Sequence, residues 1–325
     1  MLLGMGFMSF KKNMLLQLRD AIPESLRGSF GSDIYTNYVR LRTALLSAEV
    51  KTFGMSRPIE YALIDKGKAE RVVFLHGFAD CKENFFDSAH RLVSDFDLLI
   101  PDLPGFGNSF KSPEQTYDLA HYADWLCELF DSLGWTSFHL VGNSLGAAIA
   151  IRIAVTRPQL VKSLTLIDPA GIVLPGHESI YDEFLNDRVV FEIHSHVQFE
   201  YFLNRVFQKP PVIPPFVWDH LYDEFSKNSK WNRKILFDLL EGITAMDDHR
   251  LMDIVLNNTL KHIAAPTLIL WGDKDSFFPY QTGELAQNAI PGASLEILHG
   301  LGHSPQNESP MRVMRIVKKF LKKHC

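Results

Sequence analysis

Phe138-His139-Leu140-Val141-Gly142-Asn143-Ser144-Leu145-Gly146 runs from an apolar stretch into a glycine-flanked serine, and an alanine- and isoleucine-rich segment follows from Ala147. This reads as strand, tight turn and helix with Gly-x-Ser-x-Gly at the junction, the context in which the motif marks a serine nucleophile. A turn that tight strains the backbone of Ser144 and lifts its hydroxyl out of the sheet. A side chain at position 142 or 146 would collide with the neighbouring strand or helix, so glycine stands at both. The competing reading is an ordinary glycine-rich turn, and the partners of the serine decide between the two.

A hydroxyl at its free pKa is a poor nucleophile and needs a base that is itself oriented by a third group. The candidate base is His303, in Leu301-Gly302-His303-Ser304-Pro305. The candidate acid is Asp275, in Leu270-Trp271-Gly272-Asp273-Lys274-Asp275, directly after the apolar strand Pro266 to Leu270. The chain order is therefore Ser, Asp, His. With that order the chain resembles the α/β-hydrolase superfamily and not the chymotrypsin or subtilisin folds. The buried strand Val72-Val73-Phe74-Leu75 ending in His76-Gly77-Phe78 is similar to the superfamily's loop after strand three. Pro101-Asp102-Leu103-Pro104-Gly105-Phe106-Gly107-Asn108-Ser109 is similar to its turn after strand four. More closely, His-Gly-Phe-x-x-x-Lys-x-Asn, Gly-Asn-Ser-Leu-Gly and Leu166-Ile167-Asp168-Pro169-Ala170-Gly171 resemble bacterial lipases of the cold-adapted type and α/β-hydrolase-domain monoacylglycerol lipases. Ala147 departs from the glycine those relatives more often carry, and it is also small.

The resemblance implies a mostly parallel eight-stranded sheet flanked by helices, with a helical cap inserted between strands six and seven. It implies Ser144, Asp275 and His303 as catalytic residues and the backbone amides of Phe78 and Leu145 as the oxyanion hole. Asp273 competes with Asp275, but the family's Trp-Gly-x-x-Asp-x-x-x-Pro spacing, with Pro279, selects Asp275. Asp168 is a second competitor, because some members carry the acid after strand six; it precedes a proline and reads as fixing that turn. His299 ends a strand and His76 reads as ordering the oxyanion loop. His177, His194 and His196 have no metal-ligand spacing, so no metal is expected, and no cofactor is implied.

Composition agrees with one large enzyme domain. A chain of 325 residues with 46% hydrophobic content has ample apolar surface for a core. Net charge is −5, with no basic run outside the termini, which argues against nucleic acid as a partner. Cys81, Cys127 and Cys325 cannot build a disulfide framework.

Periodicity places strands at about Val50–Met55, Ile59–Ile64, Arg71–His76, Asp97–Pro101, Phe138–Val141, Ser163–Ile167, Thr267–Trp271 and Leu295–His299. Helices are expected at Thr116–Leu133, Leu145–Val155 and, basic and amphipathic, Met311–Leu321. This divides the chain into an N-terminal helical extension (1–47), a core (48–171 and 261–325) and a cap (172–260). Within the cap stand Phe184, Phe191, Phe199, Tyr201, Phe202, Phe207, Phe216, Trp218, Tyr222 and Phe225. They either line an acyl-binding underside or pack the cap onto the body. Met1–Phe10 is too short to span a bilayer and lacks the features of a cleavable signal. Phe7, Phe10, Met14, Leu18 and Ile22 share one helical face, which suits either an interfacial helix or one packed on the body. The expectation is a hydrolase of acyl glycerols or related fatty-acyl esters, cytoplasmic or at a membrane surface through that helix or the cap. A small-ester esterase, a carbon–carbon bond hydrolase of the same fold and a non-catalytic ligand-binding relative are the alternatives.

Overall fold

The computed structural model describes residues 23–186, 188, 190–210, 214–240 and 255–325. The amphipathic stretch Phe7–Ile22 lies outside them. Eight strands form one sheet: β1 (Glu49–Phe53), β2 (Ile59–Ile64), β3 (Arg71–Leu75), β4 (Asp97–Pro101), β5 (Phe138–Asn143), β6 (Val161–Ile167), β7 (Thr267–Gly272) and β8 (Ser294–Leu298). Their order is β1-β2-β4-β3-β5-β6-β7-β8. β2 is antiparallel to both β1 and β4, and every pairing from β4 to β8 is parallel. The expected strands are present, each within a residue or two of its reading. The first stops at Phe53, because Gly54 turns the chain with φ +84°.

Among the described residues the helices of six residues or more are α1 (Glu24–Leu46), α2 (Leu119–Ser132), α3 (Leu145–Thr156), α4 (Ile180–Leu185), α5 (His196–Val206), α6 (Pro215–Leu239), α7 (Gln281–Ala289) and α8 (Pro310–Lys323). α2 begins later than the expected Thr116. The Asp118 side chain accepts from the His121 amide and caps the helix there, while Tyr117 is buried as part of the preceding loop.

Alternation along β3 assigns the two faces of the sheet. Val73 and Leu75 join a cluster with α2 and α3, whereas Val72 and Phe74 join one that includes Val313, Met314, Val317 and Leu321 of α8. The basic amphipathic helix at the end of the chain is thus a body helix: its apolar side seals the sheet, and Lys318 and Lys322 reach Asp95 at 2.5 Å. The chain between β6 and β7 carries α4, α5 and α6 outside the strand–helix alternation. α1 lies along α6, with the Phe30 and Phe216 rings 5.2 Å apart. A Cβ on Gly31 would fall 1.9 Å from the Phe216 carbonyl oxygen, so glycine is required where the two helices meet.

One core histidine sets an acid limit. His139 on β5 is wholly buried, shares a 2.8 Å hydrogen bond with Ser163, and faces Glu70 at 3.4 Å. Burial pushes its pKa down to about 4, although Glu70 opposes this. The unfolded chain therefore binds this proton first, near pH 6.5, and the neutral form's contribution to stability is lost as pH falls from there toward 4. His139→Gln is expected to remove about 2–3 kcal/mol of the acid-side loss between those pH values, read from denaturant unfolding across pH. An unchanged slope would show that His139 is not the group that titrates.

Candidate active site

The strand order reverses around β3, which lies between β4 and β5. In open α/β sheets the crevice at such a switch point, outside the carboxyl ends of the strands, is where ligands bind. The segments bearing the sequence-predicted residues leave β3, β5, β6, β7 and β8 at that one edge.

Ser144 occupies the turn between β5 and α3 with φ +52° and ψ −117°, a strained conformation for a residue with a side chain. Its amide donates to the Ile167 carbonyl at 3.0 Å, and its own carbonyl accepts from Ala147, Ala148 and Ala170. Four bonds thus hold the turn against its strain. Cβ atoms on Gly142 and Gly146 would fall 2.4 Å from the Gly146 carbonyl oxygen and 2.1 Å from that of Leu75, so glycine is required at both positions.

The loop after β3 passes beside this turn: a Cβ on Gly77 would lie 3.4 Å from that of Ser144. Among the described residues the amides of Phe78, in this loop, and Leu145, at the start of α3, donate to no protein acceptor. His76 orders the loop as read from the sequence, with Nδ1–H donating to the Gly77 carbonyl at 2.8 Å and Nε2 accepting from the Leu103 amide at 2.9 Å.

Asp275 and His303 meet at the same edge, where the His303 carbonyl accepts at 3.2 Å from Nδ2 of Asn143, the residue before Ser144. The His303 Nδ1–H donates to Asp275 Oδ2 at 2.8 Å, with both side chains buried. Asp275 Oδ1 accepts from the Phe277 and Phe278 amides at 2.8 and 3.2 Å, so the carboxylate is held from two sides. The Phe277 and Phe278 rings flank the imidazole at 4.9 and 5.7 Å. Of the two competitors, Asp273 is engaged elsewhere, taking the Gly300 amide at 2.7 Å and the exposed His299 ring at 3.2 Å. Asp168 is buried behind Asp275 and accepts from the Gly272 amide at 2.8 Å. Two groups of three potential metal donors occur among the described residues. One is Asp168, Asp275 and His303. In the other, Glu70 with His139 and Cys325, both Glu70 oxygens are held by Lys162 at 2.7 and 2.8 Å.

The α/β hydrolase fold family model matches residues 70–310. The chain belongs to that family. As an α/β hydrolase it is 33% identical over 264 residues to Lipase 3 of Moraxella sp. (strain TA144), covering 80% of this chain and 81% of that relative. It is 26% identical over 264 residues to monoacylglycerol lipase abhd6-B of Xenopus laevis, covering 78% and 76%. A crystal structure of a membrane phospholipase A described as a bacterial virulence factor superposes with TM-score 0.84 at 26% identity, covering 97% of this chain and 98% of that one.

Several residues that shape this hydrolase site were not singled out for that role in the sequence. Asn143 Nδ2 donates to the carbonyls of Ile167 at 3.0 Å and His303 at 3.2 Å, and Oδ1 accepts from Gln306. Its place inside the motif was the available signal. Lys82 is buried against Asp102 and Glu83, each at 2.8 Å, and Glu60 at 2.6 Å. Burial alone would lower its pKa, but Asp102 and Glu83 outweigh that and raise it. This node fastens the loop after β3 to the turn after β4, whose Asn108 amide also donates to Asp102 at 2.9 Å. Arg205 of α5 makes a two-pronged bond to Glu183 at 3.0 and 2.9 Å and donates to the Ser276 carbonyl at 2.5 Å. It clamps the segment inserted after β6 onto the loop that carries Asp275.

Proposed function

We propose that the protein is a serine hydrolase of fatty-acyl esters, with acyl glycerols as its substrate class. The observation that carries this reading is the buried His303–Asp275 bond of 2.8 Å at the same sheet edge as the strained Ser144 turn. The lipase and monoacylglycerol lipase names of its relatives support the substrate class.

In this reading His303 Nε2 takes the hydroxyl proton as Ser144 Oγ bonds to the ester carbonyl carbon. Asp275 keeps the Nδ1–H tautomer in place and stabilises the imidazolium. The Phe78 and Leu145 amides, free of protein acceptors, donate to the tetrahedral oxyanion; one such donor is worth about 3 kcal/mol in the transition state. The carbon–oxygen bond to the alcohol then breaks, and His303 returns the proton to that oxygen. Water, deprotonated by His303, then attacks the acyl carbon, the bond to Ser144 Oγ breaks, and His303 returns the proton to Oγ as the fatty acid leaves.

In the same reading residues 172–260 are a cap on the 48–171 and 261–325 core, and α1 is the described part of an N-terminal extension, 1–47. Phe191 supports an acyl-facing underside: its ring lies 4.5 Å from Phe78, 5.6 Å from Phe202 and 6.1 Å from Phe277. Other cap aromatics, Phe199 with Trp218 at 5.7 Å and with Phe225 at 5.3 Å, pack against each other. Phe191→Ala is expected to lower kcat/KM for long-chain esters about tenfold while changing acetate less than threefold, the scale of one lost apolar pocket contact. An equal loss on every chain length would place Phe191 outside the acyl path. Contact with a lipid surface, through the cap or the segment before α1, belongs to the same reading. No helix of the described residues is long and apolar enough to cross a membrane.

The test is hydrolysis of p-nitrophenyl esters from acetate to palmitate, beside monoacyl- and triacylglycerol. Preference for medium or long chains supports the proposal. Activity confined to acetate and butyrate would leave a small-ester esterase, and cleavage of vinylogous diketones without ester turnover would make it a carbon–carbon hydrolase.

A further inference from the structure

Asp168 follows β6 as a wholly buried carboxyl with no role in the proposed acyl transfer. It is held in place from both directions: its amide donates to the Leu270 carbonyl at 3.0 Å, and Oδ1 accepts from the Gly272 amide at 2.8 Å. Its φ of +43° lies in the left-handed region, where aspartate and asparagine are tolerated better than most side chains. Oδ2 has no partner able to donate to it. What faces Asp168 is another carboxylate, that of Asp275. Ligating atoms of Asp168, Asp275 and His303 all lie within 4.8 Å of one another. A buried acceptor facing an acceptor is costly unless one of the two carries a proton. Two carboxylates sharing such a site cannot both ionise.

The surrounding donors decide which one keeps the charge. Asp275 receives three, from the Phe277 and Phe278 amides and the His303 ring. Asp168 receives one, the Gly272 amide. Burial pushes the Asp168 carboxyl well above the usual carboxylate range, and the Asp275 charge adds to it. Glu308, a further acid acting on Asp168, is turned to backbone amides, with Gly302 donating at 2.7 Å and Lys209 at 2.9 Å.

We propose that Asp168 is a positioning residue held as the neutral acid, whose Oδ2–H donates to the Asp275 carboxylate. This rests on the roles of Asp275 and His303 in the proposed ester hydrolysis. The pair then carries one negative charge, so the imidazole rests beside a single anion. A second anion there would work against the neutral imidazole that the proposed step requires. The additional donor also fixes the Asp275 rotamer on which His303 depends.

Asp168→Asn separates proton from shape. The carboxamide keeps an acceptor for Gly272 and a donor for Asp275, suits the positive φ, and carries no titratable proton. Its kcat/KM is expected within about threefold of the parent, with the acid limb of the pH–rate profile unmoved. Asp168→Ala loses both bonds and is expected to lose at least about tenfold in kcat. Infrared difference spectra of the resting protein at pH 7 are expected to show a protonated carboxyl band that Asp168→Asn removes. An acid limb that moves down by about one pH unit or more in Asp168→Asn would mean that an anion had been removed beside His303. That would overturn the proposal, as would a missing infrared band or full activity in Asp168→Ala. Should the parent protein turn over no ester, the functional reading fails, while the infrared comparison still decides where the proton sits.

Discussion

Ser144→Ala is expected to lower kcat on fatty-acyl esters by about 10⁵–10⁶-fold, the scale of removing the nucleophile from a triad that acts as a unit. Alanine retains the Cβ and the strained φ of +52°, and the four backbone bonds of the turn do not involve the hydroxyl. The unfolding free energy should therefore change by less than about 1 kcal/mol. Ser144→Gly adds a second readout. It is equally inactive, but glycine reaches that region without the Cβ penalty, so its Tm should rise by a few degrees as about 1 kcal/mol or more of stored strain is relieved. The comparison needs only an ester assay, labelling with a fluorophosphonate probe and a thermal melt. Residual turnover within tenfold of the parent would remove Ser144 from the mechanism.

The largest expected loss of stability is at Lys82→Met. The side chain fills the same approximate volume, so the effect is electrostatic. Asp102 is wholly buried and would be left with only the Lys82 and Asn108 amides as partners, while Glu60 and Glu83 lose their shared cation. Breaking a buried ion pair from one side costs about 3–5 kcal/mol, or roughly 5–10 °C in Tm for a chain of this size. A Lys82→Met/Asp102→Asn double variant should lose less than the sum of the single changes, because the two groups are directly coupled. Additive losses, or a Tm within two degrees of the parent, would show that the node contributes packing alone. Activity should fall as well, since this node ties down the loop carrying the Phe78 amide.

The architecture was legible because its signals are local. Val72 to Leu75, Leu98 to Ile100 and Leu268 to Trp271 are apolar runs of strand length, buried on both faces as parallel strands must be. The spacing of glycines around Ser144 reports a close approach that the backbone itself enforces. The meeting of Asp275 and His303, 28 residues apart, was anticipated through chain order, since the loops after consecutive parallel strands emerge at one edge. Side-chain pairings between distant segments were not anticipated. Lys82 and Asp102 each sat in a stretch noted for its resemblance, but nothing in either says that they touch. The contact of Arg205 with Ser276 spans 71 residues and leaves no periodic trace. The helix start at Asp118 was missed because Thr116 and Tyr117 continue the apolar–polar pattern, and only the cap geometry marks the boundary.

The amide of His303 donates to the carbonyl of Val206 at 2.9 Å, and a Cβ on Gly302 would fall 2.9 Å from that same oxygen. The end of α5 is therefore spliced to the peptide that carries the imidazole. Displacing this end of α5 would strip His303 of its backbone anchor and, through Arg205, pull on the loop of Asp275. On the proposed reading, substrate passage beneath α5 and turnover would therefore exclude each other on that side of the molecule.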